Sequence, residues 1–367
     1  MTSFRKDIAR RFPLVARGRP ACHPLDVRIR QVGDLADAAT EHPDHALRKA
    51  AEAHNLAALI ASDCGLPSLA RLWCWSQFAI FHEAQPFEVA TAKLALQPLI
   101  NLGRLLTRDG NGTAAHHLIE TLFTAVQNKV TAQIDDKTTA LGNLTRTPDA
   151  HRELLQWLWT VLLADGSRAL AQAGRWAQAL QHLQDHQGVG QRLLDGRQIA
   201  IIAHHAAGDH LLAARLLTET STQTPWEQAV ATCLAVLTSN PRADTMADGL
   251  LALDDAPEQV LFRTRLRLTA IDLTDTVSPL VHAIESDILR SADAYAAREA
   301  ATHAICASQL SARAINMFTR LVDTSGLGKG VIPTDLLDQL MTAVAAAEAS
   351  LTHALNRHDA AARYHDG

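Results

Sequence analysis

Two neighbouring stretches decide the fold: Ala169-Leu-Ala-Gln-Ala-Gly174-Arg-Trp176-Ala-Gln-Ala179-Leu180-Gln-His-Leu183, and Ala203-His-His-Ala-Ala-Gly208-Asp-His210-Leu-Leu-Ala213-Ala214-Arg-Leu-Leu217. Gly174 pairs with Gly208, Trp176 with His210, Ala179 with Ala213, Leu180 with Ala214 and Leu183 with Leu217, each 34 positions apart. A glycine here closes one helix in the left-handed conformation that a tight helix–helix turn needs. The ring two positions on packs across the turn. The alanine five positions on lies where two helices cross closely. Trp176, Ala179, Leu180 and Leu183 fall at i, i+3, i+4 and i+7, one apolar stripe.

This period and pattern resemble the tetratricopeptide (TPR) repeat. Gly65 with Ala70 and Gly110 with Ala115 repeat the glycine-plus-five spacing. Ala58 and Gly103, each seven residues before its turn glycine, match the small residue of the TPR first helix. The resemblance covers 46–220 and is clearest at the C-terminal end of that span. Ala314, five after Gln309, extends it faintly. Apolar residues recur at helical spacing and strand-like alternation is rare, so the chain reads as all-α. The expected architecture is an α-solenoid of TPR-like hairpins with irregular repeats. A polar-backed terminal helix from Thr334, bearing Leu336, Leu337, Leu340, Met341, Val344 and Leu351 on one face, is expected to cap it.

Length allows two domains or one elongated array. The expected organisation is a basic, proline-containing arm over 1–40, a helical array over 41–355 with a sub-boundary near 222–243, and a polar tail over 356–367. Residues 1–33 hold eight Lys/Arg against Asp7 and Asp26, while the whole chain carries −5. Pro13, Gly18, Pro20 and Pro24 argue against a long helix there. The arm is expected to lie along the first helices and pair with their carboxylates. Contact with nucleic acid is the less favoured reading, because the prolines leave no room for a helix-turn-helix. The polar stretch 133–150 reads as the longest loop.

The five scattered cysteines form no C-x-x-C and fit a reducing compartment. No apolar leader or membrane-length run is visible, which reads as a cytoplasmic protein. Arg outnumbers Lys 28 to 6, as in a GC-rich bacterial genome.

Chemical motifs are sparse. Gly326-Leu-Gly-Lys-Gly330 lacks the spacing and hydroxyl of a phosphate loop and reads as a helix breaker. His182 and His186 are spaced i, i+4, and His204, His205 and His210 cluster at the next turn, but no third ligand is implied. His82-Glu83 has Pro86 where a zincin places its second histidine. No nucleophile motif occurs. No metal, cofactor or catalytic residue is therefore expected. Trp73, Trp75, Phe78 and Phe81 fan across one helix, either as core or as the wall of an aromatic pocket.

The TPR resemblance implies a peptide or partner protein held in a concave groove lined by the first helix of each repeat. Its groove positions fall on Asn55, Leu59 and Asp63, on Gln97, Arg104 and Arg108, on Arg168 and Gln172, and on Gln198, Ile202 and His205. Amides suit backbone hydrogen bonds and arginines suit carboxylates. The expected function is a non-catalytic adaptor or peptide-responsive regulator. An enzyme binding a small molecule through the aromatic set is the alternative. A homodimer is admitted and a membrane partner is not expected.

Overall fold

Gly174 and Gly208 end their helices with the same pair of backbone bonds, and that device sets the hairpin geometry. In a computed structural model of the chain, which describes residues 7–239, 246–254 and 256–365, their φ angles are 72° and 90°. Gly174 N–H donates to the Ala171 carbonyl (2.9 Å) and Arg175 N–H to the Leu170 carbonyl (2.9 Å). Gly208 bonds His205 (3.1 Å) and Asp209 bonds His204 (2.9 Å) in the same pattern. This is the Schellman closure, which satisfies carbonyls a helix end leaves open. Gly65 and Gly110, with φ of 80° and 78°, make the equivalent bonds. Ala70, Ala115, Ala179 and Ala213 are each at most 1% exposed, as residues at close helix crossings must be. No atom lies within 4 Å of where a Cβ on Gly208 would sit. Gly208→Ala therefore isolates the backbone cost, an expected loss of about 1–2 kcal/mol in urea denaturation. An unchanged midpoint would contradict the assigned turn.

The described residues form eighteen α-helices and one β-hairpin. In chain order α1 is Leu25–Glu41, α2 Ala46–Asp63, α3 Pro67–Glu83, α4 Val89–Arg108 and α5 Gly112–Asn128. β1 (Thr131–Ile134) and β2 (Lys137–Ala140) follow, then α6 (Pro148–Val161). A π-helical stretch, Leu162–Gly166, leads to α7 (Ser167–Gln172), α8 (Trp176–Asp185), α9 (Asp195–Ala206) and α10 (His210–Thr218). Next come α11 (Pro225–Ser239), α12 (Met246–Leu251), α13 (Val260–Ile271) and α14 (Ser278–Ser291). The last four are α15 (Ala294–Thr302), α16 (Ala304–Gln309), α17 (Ala312–Ser325) and α18 (Thr334–His365). No helix among the described residues is long and apolar enough to cross a membrane.

The chain divides into two units. Unit A is Pro24–Leu162 with Gly326–Gly367, and unit B is Met1–His23 with Leu163–Ser325. The division thus falls at 23/24, 162/163 and 325/326, while the region expected to hold a sub-boundary, 222–243, is largely spanned by α11. In unit A each of α1 to α5 packs on its successor, and alternate helices α2, α4 and α6 also touch. In unit B the same alternation joins α7, α9, α11, α13 and α15. Unit A has a continuous core running from Leu25 and Ile29 through Leu96, Leu99 and Leu122 to Leu351.

Four expectations are corrected. The arm does not reach residue 40: Pro24 takes the position before α1, where a ring is tolerated, and a helix follows at once. The stretch read as a loop contains the antiparallel pair β1–β2, which turns on Asp135 in the left-handed region (φ 58°). Through residue 365 the segment set apart as a polar tail is the end of α18. Finally, α18 is not an end cap but lies against α1, α2 and α3. Leu340, Val344, Ala347, Leu351 and Leu355 are its buried stripe, whereas Met341 is 53% exposed.

Candidate functional site

Asn55, Gln97 and Arg104 come together on the α2–α4 face of unit A through a residue that the repeat spacing did not mark, Asn101. Its Nδ2 donates to Asn55 Oδ1 (2.9 Å), and its Oδ1 accepts from Gln97 Nε2 (3.2 Å) and Arg104 Nη1 (3.2 Å). Asn101 lies four residues after Gln97 and three before Arg104, so helical spacing alone could have found it. Arg104 is exposed and the amides are half-buried, leaving a polar strip that can meet a ligand. Asp63 differs from the expectation. It is buried, ion-paired with Arg28 and bonded by Arg108 Nη1 (3.1 Å), and so it braces the end of α2. The glycine-rich stretch read as a helix breaker completes that brace: Gly328 N–H and Gly330 N–H donate to the Asp63 and Cys64 carbonyls, both at 2.7 Å.

Trp73, Trp75, Phe78 and Phe81 are 6%, 7%, 3% and 0% exposed and belong to the unit A core. Trp75 stacks edge-on to Phe78 at 5.9 Å, donates from Nε1 to Asp135 (3.2 Å), and lies under Lys137 Nζ at 4.7 Å. The aromatic helix is thereby fastened to the β-hairpin. Arg71 also pairs with Asp135.

Unit B has a different kind of face, and it is filled. Residues 12–24 form neither helix nor strand. They lie across helices whose sequence positions are far away. Gln198, wholly buried on α9, bonds both backbone groups of Leu14: Leu14 N–H donates to Oε1 (2.7 Å) and Nε2 donates to the Leu14 carbonyl (2.8 Å). Nε2 also reaches the Leu193 carbonyl (3.1 Å). One primary amide therefore does for an extended backbone what a neighbouring strand would do.

Charged contacts flank this clamp. Both Nη atoms of Arg17 bond the two carboxylate oxygens of Asp195, at the start of α9, and Arg168 Nη2 bonds Asp195 Oδ1 at 3.1 Å. Arg11 pairs with Asp272 (2.7 Å), which also meets His303 Nε2 (3.1 Å). Burial acts to raise the Asp272 carboxyl, but the bond from His303 and the charge of Arg11 outweigh it and hold the group below the usual aspartate range. Arg19 lies 3.8 Å from the centre of the Tyr295 ring, and its N–H donates to the Glu258 carbonyl (2.9 Å). Cys22 N–H donates to Asp293 Oδ1 (3.0 Å), and its carbonyl accepts from Ala294 N–H (3.0 Å). Ile8, Phe12 and Leu14 are 1%, 1% and 3% exposed. Each such burial contributes about 1.5–3 kcal/mol, so apolar anchors dominate the hold and the ion pairs give it register.

Of the expected unit B positions, Gln198 and Arg168 belong to this site. Ile202 is buried core, and His205 meets His210, with ring nitrogens 3.1 Å apart. His182 and His186 rings pack edge-on at 5.0 Å. The basic N-terminal segment does pair with helix carboxylates: Arg28 with Asp63 on α2, and Arg11 and Arg17 with carboxylates after α13 and at the start of α9. Its arginines 11, 17 and 19 are engaged within unit B.

All five cysteines are buried free thiols. Burial pushes Cys64 up to about 11, and Cys74, Cys233 and Cys306 up to about 12, so these four are protonated at neutral pH and poor nucleophiles. Fold and site together define a class, an all-α protein of packed helices. Comparison with family models, curated proteins and solved structures finds no match to this chain.

Proposed function

We propose that the chain is a non-catalytic binding module, TPR-like in each unit, that holds extended peptide segments of a partner protein on the faces of alternate helices. The observation that carries this reading is the Gln198 clamp on the Leu14 backbone, a side-chain amide on a first helix bonding both groups of an extended segment. The Asn55–Asn101–Gln97–Arg104 strip in unit A offers the same chemistry to solvent: amides for a backbone, and an arginine for a carboxylate. Adaptor or regulatory work follows naturally from a module with the means to hold a partner.

The test is an array of unrelated extended peptides probed with the purified full chain, wild type against Arg104→Glu. Arg104 is exposed and can be reversed without disturbing the Asp63 brace. Acidic peptides should bind the wild type and lose at least about tenfold in affinity in the variant, as a reversed rim charge predicts. Equal binding by both proteins, or none by either, would sink the unit A assignment.

A further inference from the structure

The unit B face carries more than a backbone clamp. Carboxylates from three separate places, Asp195, Asp272 and Asp293, converge on a single extended stretch, and Tyr295 supplies a ring where that stretch presents a cation. Asp195 and Asp293 are 6% and 4% exposed. Buried carboxylates on different helices are costly unless something cationic or a backbone N–H meets them. In the structure Arg168 meets Asp195 and the Tyr295 N–H meets Asp293, and the remaining partner of each is the chain's own arm, without helix or strand over residues 12–24. Its contacts are those of a ligand: apolar anchors at Phe12 and Leu14, a backbone held by Gln198, a bidentate arginine at 17 and a stacked arginine at 19.

We propose that this face is a receptor for extended peptides with an aromatic–proline–aliphatic anchor followed by spaced arginines, that residues 8–23 are its resident ligand, and that a partner segment of the same chemistry displaces them. The proposal rests on the peptide-binding reading above and names the ligand class of its second face. Selectivity follows from the contacts. Gln198 accepts any backbone, whereas Asp195 and Tyr295 demand cations at a fixed interval from the anchor, and a lysine could not reproduce the two-pronged bond to Asp195. Being tethered, the arm acts at an effective concentration in the millimolar range, so a free peptide competes only weakly until the arm is loosened.

The experiment uses a fluorescent synthetic peptide of residues 8–23 and the full chain. Wild type should bind it at least about tenfold more weakly than Phe12→Ala/Arg17→Ala, in which the tethered competitor has lost an anchor and its bidentate pair. Adding Asp195→Asn to that variant should remove the gain. A folded double variant that binds no tighter, or a gain that survives Asp195→Asn, overturns the proposal. Should the double variant not fold, wild type is read by hydrogen exchange with the unlabelled peptide in excess. Faster exchange at the Leu14, Arg19 and Cys22 amides is expected, and unchanged protection overturns the proposal. A concentration-dependent wild-type dimer abolished by Arg17→Ala would give the face to a second copy's arm, and also overturns it. Peptide binding lost on Arg104→Glu but not on Asp195→Asn would sink this inference while leaving the broader reading intact. Absence of peptide binding at either face would sink both.

Discussion

Replacing Asp287 by alanine is expected to cost about 3–5 kcal/mol and to unfold unit B at a denaturant concentration where wild type is intact. Asp287 on α14 accepts from Arg263 Nε (2.8 Å), Arg267 Nη1 (2.6 Å) and Arg290 Nη2 (2.7 Å). Arg263 and Arg267, both on α13, are 1% and 4% exposed. Removing the carboxylate takes from two buried guanidiniums the counter-charge they share, while the Arg263 bonds to the Asp254 and Ala256 carbonyls remain. Arginine stays protonated in this setting, so neither side chain escapes the penalty by neutralising. Asp287→Asn retains an acceptor of nearly the same shape and should lose less. Urea denaturation followed by tryptophan fluorescence reads the effect, and an alanine variant with the wild-type midpoint would refute it.

The same group makes unit B acid-sensitive. Burial acts to raise the Asp287 carboxyl, but the bond from Arg263 and the charge of Arg267 prevail and lower it, as Arg11 and His303 do for Asp272. A carboxyl that ionises more readily folded than unfolded stabilises the fold fully above its unfolded value, about 4. That stabilisation disappears as pH falls through the lower folded value, because the unfolded chain takes up protons first. Acid unfolding of unit B should therefore set in below about pH 4, and Asp287→Asn should flatten that limb.

The second large effect is expected at Gln198. Its alanine variant strands the Leu14 N–H and carbonyl and the Leu193 carbonyl inside unit B, each orphaned group costing about 1–3 kcal/mol if water cannot reach it. The arm is the part able to respond, since it has no helix or strand to hold it. Hydrogen exchange should accelerate at Leu14 and at the downstream Arg19 and Cys22 amides well before the α9 and α13 backbones change. Uniform acceleration across unit B would show that the amide supports the helices and not the arm. Gln198→Glu separates the roles further: it keeps the acceptor for Leu14 N–H but loses the donor to both carbonyls, so it should fall between wild type and alanine.

Much of the helical design was legible locally. The four turn glycines and the alanine five residues after each are fixed by contacts within a few residues, a left-handed cap and one close crossing, and a sequence displays those directly. On α4, helical spacing alone puts Gln97, Asn101 and Arg104 on one strip, whereas the bond from Asn101 to Asn55 on α2 depends on how the two helices pack. The aromatic helix was undecidable, because a side chain fanning off one stripe is core or pocket according to what packs on its far side. In this chain the β-hairpin supplies that cover through Asp135 and Lys137.

What the sequence by itself determined is an all-α chain of helical pairs whose turns, caps and close crossings are set by glycine, alanine and apolar spacing. Only the tertiary structure decided that α18 returns to α1–α3, that the chain divides into two units each drawn from separate segments, and that Asp195, Asp272 and Asp293 receive the arm. The physical reason is range. A Schellman turn joins residues five apart, whereas the Leu14–Gln198 and Cys22–Asp293 bonds join residues 184 and 271 apart. No local pattern records which buried carboxylate a distant arginine will meet.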